Sequence, residues 1–193
     1  MRAALLLLAA LEMAVAAPPD GAAEAVRVTL SRAQQVVGAP AERNEKLASL
    51  QVLARELLDA RTMARRAMGK ELATRSAEEQ QEFLGLFEEL IVRAYLQKLL
   101  FFRKPEFAYG EAELRGKVTI VPTRILSARD EYFVNYEMSR RDGRWLATDV
   151  VIEGISLTRN YRSQFQTILR RQSFEELLAR MRRTTRRLGA PAP

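Results

Sequence analysis

The sequence predicts an α+β fold in which helices pack on a twisted antiparallel sheet of about four strands. Three observations carry this expectation. Apolar residues recur at intervals of three and four through the first hundred positions, as on one face of a helix. Between Phe107 and Leu157 the interval falls to two, the period of a strand with one buried face. From Leu157 onward helical spacing returns. The order is therefore helices, meander, helices, without an internal repeat. With 193 residues, 48% of them hydrophobic, the chain can build one domain with a sizeable core.

The elements follow in order. Ala17 to Ala23 reads as a Pro/Gly/Ala lead-in, and Val26 to Val37 as a helix ending at Gly38-Ala39-Pro40. Glu42 to Leu58 places Leu47, Leu50, Leu53, Leu57 and Leu58 on one helical face. Asp59 can cap a short helix from Ala60 to Met68, which Gly69 interrupts. Ser76-Ala77-Glu78-Glu79 is a capping box, in which the serine oxygen and the glutamate carboxylate each take an amide left free at a helix start. The long helix it opens carries the stripe Phe83, Leu86, Phe87, Leu90, Ile91, Ala94, Tyr95, Leu99 and Phe102, and ends near Lys104-Pro105. In the meander one strand runs around Tyr109 to Arg115 and turns at Gly116. The next presents Val121, Thr123 and Ile125 on one side, and the third presents Val134, Tyr136 and Met138. Asp142-Gly143 suits a tight hairpin into a last strand from Trp145 to Ile152. Leu157 to Arg171 is helical, and a second capping box, Ser173-Phe174-Glu175-Glu176, opens a final helix with Phe174, Leu177, Leu178 and Met181 on one face.

The first residues read as a secretory signal over 1–16. Arg2 supplies the positive start, Ala3 to Leu11 is an unbroken apolar run, and Ala14-Val15-Ala16 is an A-x-A cleavage site. The run is about half the ~20 residues that a spanning helix needs. No cysteine stands near the cleavage site to carry an acyl chain. A soluble, exported domain over 17–188 is expected, followed by an Ala/Pro tail over 189–193 without regular structure.

Composition also excludes chemistry. With no cysteine and no histidine, disulfides, thiolate nucleophiles, the usual zinc sites and every Ser/His or Cys/His pair are ruled out. No cofactor motif is present, and no enzymatic activity is expected. Asp149 and Glu153, two acids on one side of a strand, resemble a general acid/base pair. With no histidine and many arginines nearby, they read rather as ion-pairing or turn-stabilising carboxylates.

The net charge of +7 is local: residues 1–155 hold 22 basic and 22 acidic side chains, whereas residues 156–193 hold nine arginines against Glu175 and Glu176. Such an excess suggests a docking face for an anionic membrane surface or an acidic partner, with Arg180, Arg182 and Arg183 as its candidates. Nucleic acid is not an expected partner of an exported protein. A solvated helix face, with Arg186 and Arg187 answering the helix dipole, explains the same residues.

Two stretches resemble a known family. The first is Ala64-Arg65-Arg66-Ala67-Met68-Gly69 followed by Ser76-Ala77-Glu78-Glu79-Gln80-Gln81-Glu82-Phe83 and Phe87. The second, more specific, is Trp145 through Asp149-Val150-Val151-Ile152-Glu153-Gly154-Ile155-Ser156-Leu157 to Tyr161, Phe165 and Leu169. With Thr119-Ile120-Val121-Pro122 they span residues 47 to 183 and are similar to the MlaC, or toluene-tolerance, family of periplasmic phospholipid-binding proteins. Thr148 stands where an aromatic is common in that family, and Leu72 near where many members place tryptophan. The resemblance implies helices and a twisted sheet enclosing an apolar cavity for lipid tails. It implies as partners a phospholipid, an inner-membrane ABC transporter complex with an MCE-domain subunit, and an outer-membrane lipoprotein complex, in a pathway that maintains outer-membrane lipid asymmetry. Some similar proteins are associated with hopanoid lipids. A membrane-surface adaptor that extracts no lipid is the remaining alternative.

A diacyl lipid exposes about thirty methylenes at ~0.8 kcal/mol each, on the order of 20 kcal/mol, so a soluble carrier must enclose the tails. Bilayer and pocket are both apolar, so exchange between them can lie near zero free energy and needs no nucleotide site. The candidate lining is Met63, Ala67 and Met68 with Phe87, Leu90 and Tyr95, then Val121, Ile125, Val134 and Tyr136, and Ile155 with Phe165. Each fits ordinary core equally well. Flexible methionines at 63 and 68 suit a variable cargo.

Overall fold

The computed structural model describes residues 19–100, 102, 105–127 and 130–189. The proposed signal at 1–16 and the end of the tail at 190–193 lie outside these residues. Helix α1 (Pro19–Gly38) starts well before the expected Val26. Proline suits the first turn of a helix, where its missing amide has no partner to lose. Ala22 and Val26 are fully buried, so the supposed lead-in is a packed part of the domain. Close approach explains Gly21: a Cβ there would stand 2.6 Å from the indole nitrogen of Trp145.

Helices α2 (Arg43–Leu57) and α3 (Ala60–Met68) agree with the spacing of their leucines and with the cap, since Asp59 Oδ1 accepts from the Thr62 amide at 2.9 Å. After a 3-10 turn at Gly69–Thr74, α4 (Ala77–Leu99) opens with the capping box formed in both directions. The Glu79 amide donates to Ser76 Oγ at 3.2 Å and the Ser76 amide donates to Glu79 Oε2 at 2.9 Å.

The sheet has six strands rather than about four. The expected single strand around Tyr109 to Arg115 is two, β1 (Glu106–Tyr109) and β2 (Glu113–Arg115), both paired with β3 (Val118–Leu126). Pro122 of β3 has no amide to offer the ladder on that side. Only its carbonyl is used, accepting from the Gly110 amide at 2.9 Å, and the first strand breaks there. Strand β4 (Glu131–Arg141) pairs with β3 in the register Val121 to Tyr136, Thr123 to Val134 and Ile125 to Tyr132. The β4 hairpin to β5 (Arg144–Ile152) turns on Asp142 and Gly143, whose φ values of 47° and 77° suit the Asp-Gly pair. A two-residue strand β6 (Ile155–Ser156), too short to stand out from the sequence, returns antiparallel to β5. The sheet order is β1-β3-β4-β5-β6.

One irregularity ties sheet to helices. Register shifts at Glu137/Met138, leaving Thr148 as the extra residue of a bulge. Its hydroxyl donates to the Glu137 carbonyl at 3.2 Å and its own carbonyl accepts from Arg66 Nη1 of α3 at 3.1 Å, so the fully buried threonine is satisfied.

Helices α5 (Leu157–Leu169) and α6 (Phe174–Gly189) complete the chain, α6 behind the second capping box, in which the Glu176 amide donates to Ser173 Oγ at 3.1 Å. The main core joins α1, α3, α4, α5 and α6 to the sheet. A smaller apolar cluster, Ala33, Val37, Leu50 and Leu53, sits between α1, α2 and the end of α4. Among the described residues no helix is long and apolar enough to cross a membrane.

Candidate functional site

Between the main core and the small cluster lies a cavity of about 1200 Å³. Its walls are Leu30 and Ala33 of α1, Leu50, Leu53 and Leu57 of α2, and Ile91, Val92, Tyr95, Leu96 and Leu99 of α4. The sheet faces them with Phe107, Ile125, Tyr132, Val134, Tyr136, Val150 and Ile152, and Leu157 closes one side. This exceeds the upper end, about 1,000 Å³, of pockets that hold drug-sized ligands. Walls built from leucine, isoleucine, valine and phenylalanine give water few partners and suit an apolar occupant.

The deep residues are buried, whereas the rim is open. Ser127, Asp130 and Tyr132 at the β3–β4 turn and Phe102 beyond α4 frame the mouth, where the Phe102 and Tyr132 rings meet edge to face at 5.7 Å. Tyr136 lies four residues below Tyr132 on the same face of β4, about 13 Å deeper at strand rise. Burial, reinforced by the phenol of Tyr109, holds the Tyr136 hydroxyl well above the ordinary phenol range. No side chain among the described residues hydrogen-bonds to it. Burial also raises Tyr95 and pushes Tyr161, behind the wall on α5, up to about 12.

Four of the twelve proposed lining residues, Tyr95, Ile125, Val134 and Tyr136, lie on the cavity. The other eight do not. Met63, Ala67, Met68, Phe87, Leu90, Val121 and Phe165 are buried in the main core. There Phe87 and Phe165 pack with Phe83 at 6.0 and 5.5 Å, and with Tyr161, in a filled aromatic cluster. Ile155 is 59% exposed, on the outer side of β6. For Phe87 and Leu90 the physical reason is the length of α4: its first half packs into solid core, and only from Ile91 onward does it face the cavity. The wall from α1 and α2 was not assigned from sequence, although the Leu50, Leu53, Leu57 stripe was the available signal.

The two acids are separated in role. Asp149 is buried and accepts from the Val150 amide at 2.8 Å, the Thr158 amide at 3.1 Å, the Thr158 hydroxyl at 2.9 Å and the Ser156 hydroxyl. It ties β5 to the start of α5. Glu153, at φ 50° in the turn before Gly154, accepts from the Phe133 amide at 2.6 Å and is exposed. Neither carboxylate faces the cavity.

The three proposed docking arginines also divide. Arg182 is bonded to Glu82 of α4, whose carboxyl this contact lowers below its ordinary range. Arg180 and Arg183 instead share a shallow polar depression with Thr184 and Arg187 on the solvent side of α6.

The sequence matches the family described as MlaC protein over residues 23–183. In fold, the chain is similar to a phospholipid-binding protein from Ralstonia solanacearum solved in complex with a phospholipid, with a TM-score of 0.76 and 20% identity. The alignment covers 88% of this chain and 99% of that one.

Proposed function

The chain belongs to the MlaC protein family, and from that membership we propose that it is a soluble periplasmic carrier that encloses the acyl tails of a phospholipid and moves lipid between membranes. The observation that carries the reading is the apolar cavity of about 1200 Å³ with Ser127, Asp130 and Tyr132 at its rim. The phospholipid held by the Ralstonia solanacearum protein of the same fold supports it. The proposed cycle needs no chemistry. Tails leave one apolar medium for another, so loading and release are set by the partner complexes, an inner-membrane ABC transporter with an MCE-domain subunit and an outer-membrane lipoprotein complex. The signal over 1–16 would deliver the protein to that compartment.

Organic extraction and mass spectrometry of the purified protein test the reading. Near-stoichiometric phospholipid is the expected result, and a hopanoid in its place would reassign the cargo. Protein that carries no lipid and takes up none from vesicles would leave only an adaptor role.

A further inference from the structure

We propose that Arg180, Arg183 and Arg187 form a phosphate-binding stripe that seats this protein on an anionic phospholipid surface with the cavity mouth turned toward it. At spacings of three and four the three arginines occupy one face of α6, spanning roughly 10 Å. All three are exposed, and with Thr184 they line one depression. The opposite face of α6, Leu177, Leu178, Met181 and Thr185, is buried.

The neighbouring charges are accounted for. Arg182 is held by Glu82, and Arg186 Nε turns back to the Arg182 carbonyl at 3.3 Å. The acids of α6, Glu175 and Glu176, are confined to its first turn, where Glu176 Oε2 accepts from the Ser173 amide at 2.8 Å. Among the described residues no carboxylate pairs with Arg180, Arg183 or Arg187. Like charges one turn apart oppose helix formation, and a bound anion removes that cost. Guanidinium forks match phosphate oxygens, and a repeat of phosphates along two turns is what a headgroup layer presents.

Position adds the orientation. The last turn of α6 meets the cavity-lining end of α4, where Gln97 Nε2 donates to the Leu188 carbonyl and the Arg93 guanidinium lies against Gly189. Leu96 and Leu99 of that end line the cavity, and Phe102 just beyond it stands at the mouth. A surface that engages Arg187 therefore approaches the end of α4 beyond which Phe102 stands at the rim.

The test uses the mature protein and vesicles of phosphatidylcholine with or without phosphatidylglycerol. Wild type should bind only the anionic vesicles, and salt should weaken it. The combined change Arg180→Gln, Arg183→Gln and Arg187→Gln should lower that affinity roughly a hundredfold. An equal loss of charge elsewhere, Arg61→Gln with Arg140→Gln and Arg170→Gln, should change it by less than about threefold, since distant exposed charges are screened. Because the chain has no cysteine, a single fluorophore can be placed at Ser127→Cys on the rim or at Thr74→Cys near the far end of α4. On anionic vesicles the first should become shielded from an aqueous quencher and the second should not. Equal loss of binding in both triple variants, or shielding at Thr74→Cys instead of Ser127→Cys, overturns the proposal. So does wild type that ignores anionic vesicles but is retained on polyglutamate, which would assign the stripe to an acidic protein. Extracted lipid is a separate readout, so failure here leaves the carrier reading standing.

Discussion

Asp149 is 5% exposed and pairs with no cation among the described residues, yet four donors from the chain satisfy it. Two of those come from Thr158 at the first turn of α5, where the partial positive charge of a helix start also favours a carboxylate. Asp149→Ala should therefore lower the unfolding free energy by about 3 kcal/mol, read as a shift of the urea midpoint, while bound lipid per folded molecule stays constant. If Asp149→Asn keeps its fold but loses lipid, the acid serves the site rather than the scaffold. Tyr136 presents the opposite case, a hydroxyl facing an apolar cavity without a partner among the described side chains. A saturated tail strands it at a cost of about 1 kcal/mol, so Tyr136→Phe should tighten binding of a saturated diacyl phospholipid about fivefold, measured by competitive partitioning from vesicles. Weaker binding would mean that the cargo or a retained water bonds the hydroxyl.

At the scale of elements, α4 combines two tasks along one stripe, and mutations should separate them. Leu90→Glu places a charge in filled core and should unfold the domain, whereas Ile125→Glu should leave circular dichroism intact and lose most bound lipid, because a charge among tails costs several kcal/mol. Loss of fold in the second variant would place Ile125 in the core with the rest. Ser76→Ala, which removes one limb of the capping box, should cost about 1 kcal/mol without touching lipid. The helices and both capping boxes were legible because their signals are local: a serine and a glutamate three apart, leucines three and four apart. The strand faces at Val121, Thr123, Val134 and Tyr136 were legible for the same reason. The split of β1 from β2 depends on Pro122 in a different strand, and the bulge at Thr148 on a carbonyl that Arg66 reaches from α3. A single segment does not carry those facts. The cavity wall was the least legible, since periodicity reports that a residue is covered but not whether neighbours or open space lie beyond it. Phe87 and Tyr95 share a stripe and differ only in that.

Across the whole molecule, cargo and stability are linked, because a ligand that binds only the folded chain stabilises it by mass action. With lipid at about one hundred times its dissociation constant the gain is about 2.7 kcal/mol, so delipidated protein should melt roughly 5–10 °C lower and recover when lipid is restored. Equal melting temperatures would indicate that the tails do not fill the interior. The contact between Gly21 and Trp145 bears on how such loading can be watched. Trp145 is the single tryptophan of the chain, and the first turns of α1 press against its indole. The same helix supplies Leu30 and Ala33 to the cavity wall. Intrinsic emission is thus a built-in optical gauge of whether the first helix is seated: a shift in its wavelength on loading, read in unlabelled protein and in real time, would report that α1 moves when cargo enters.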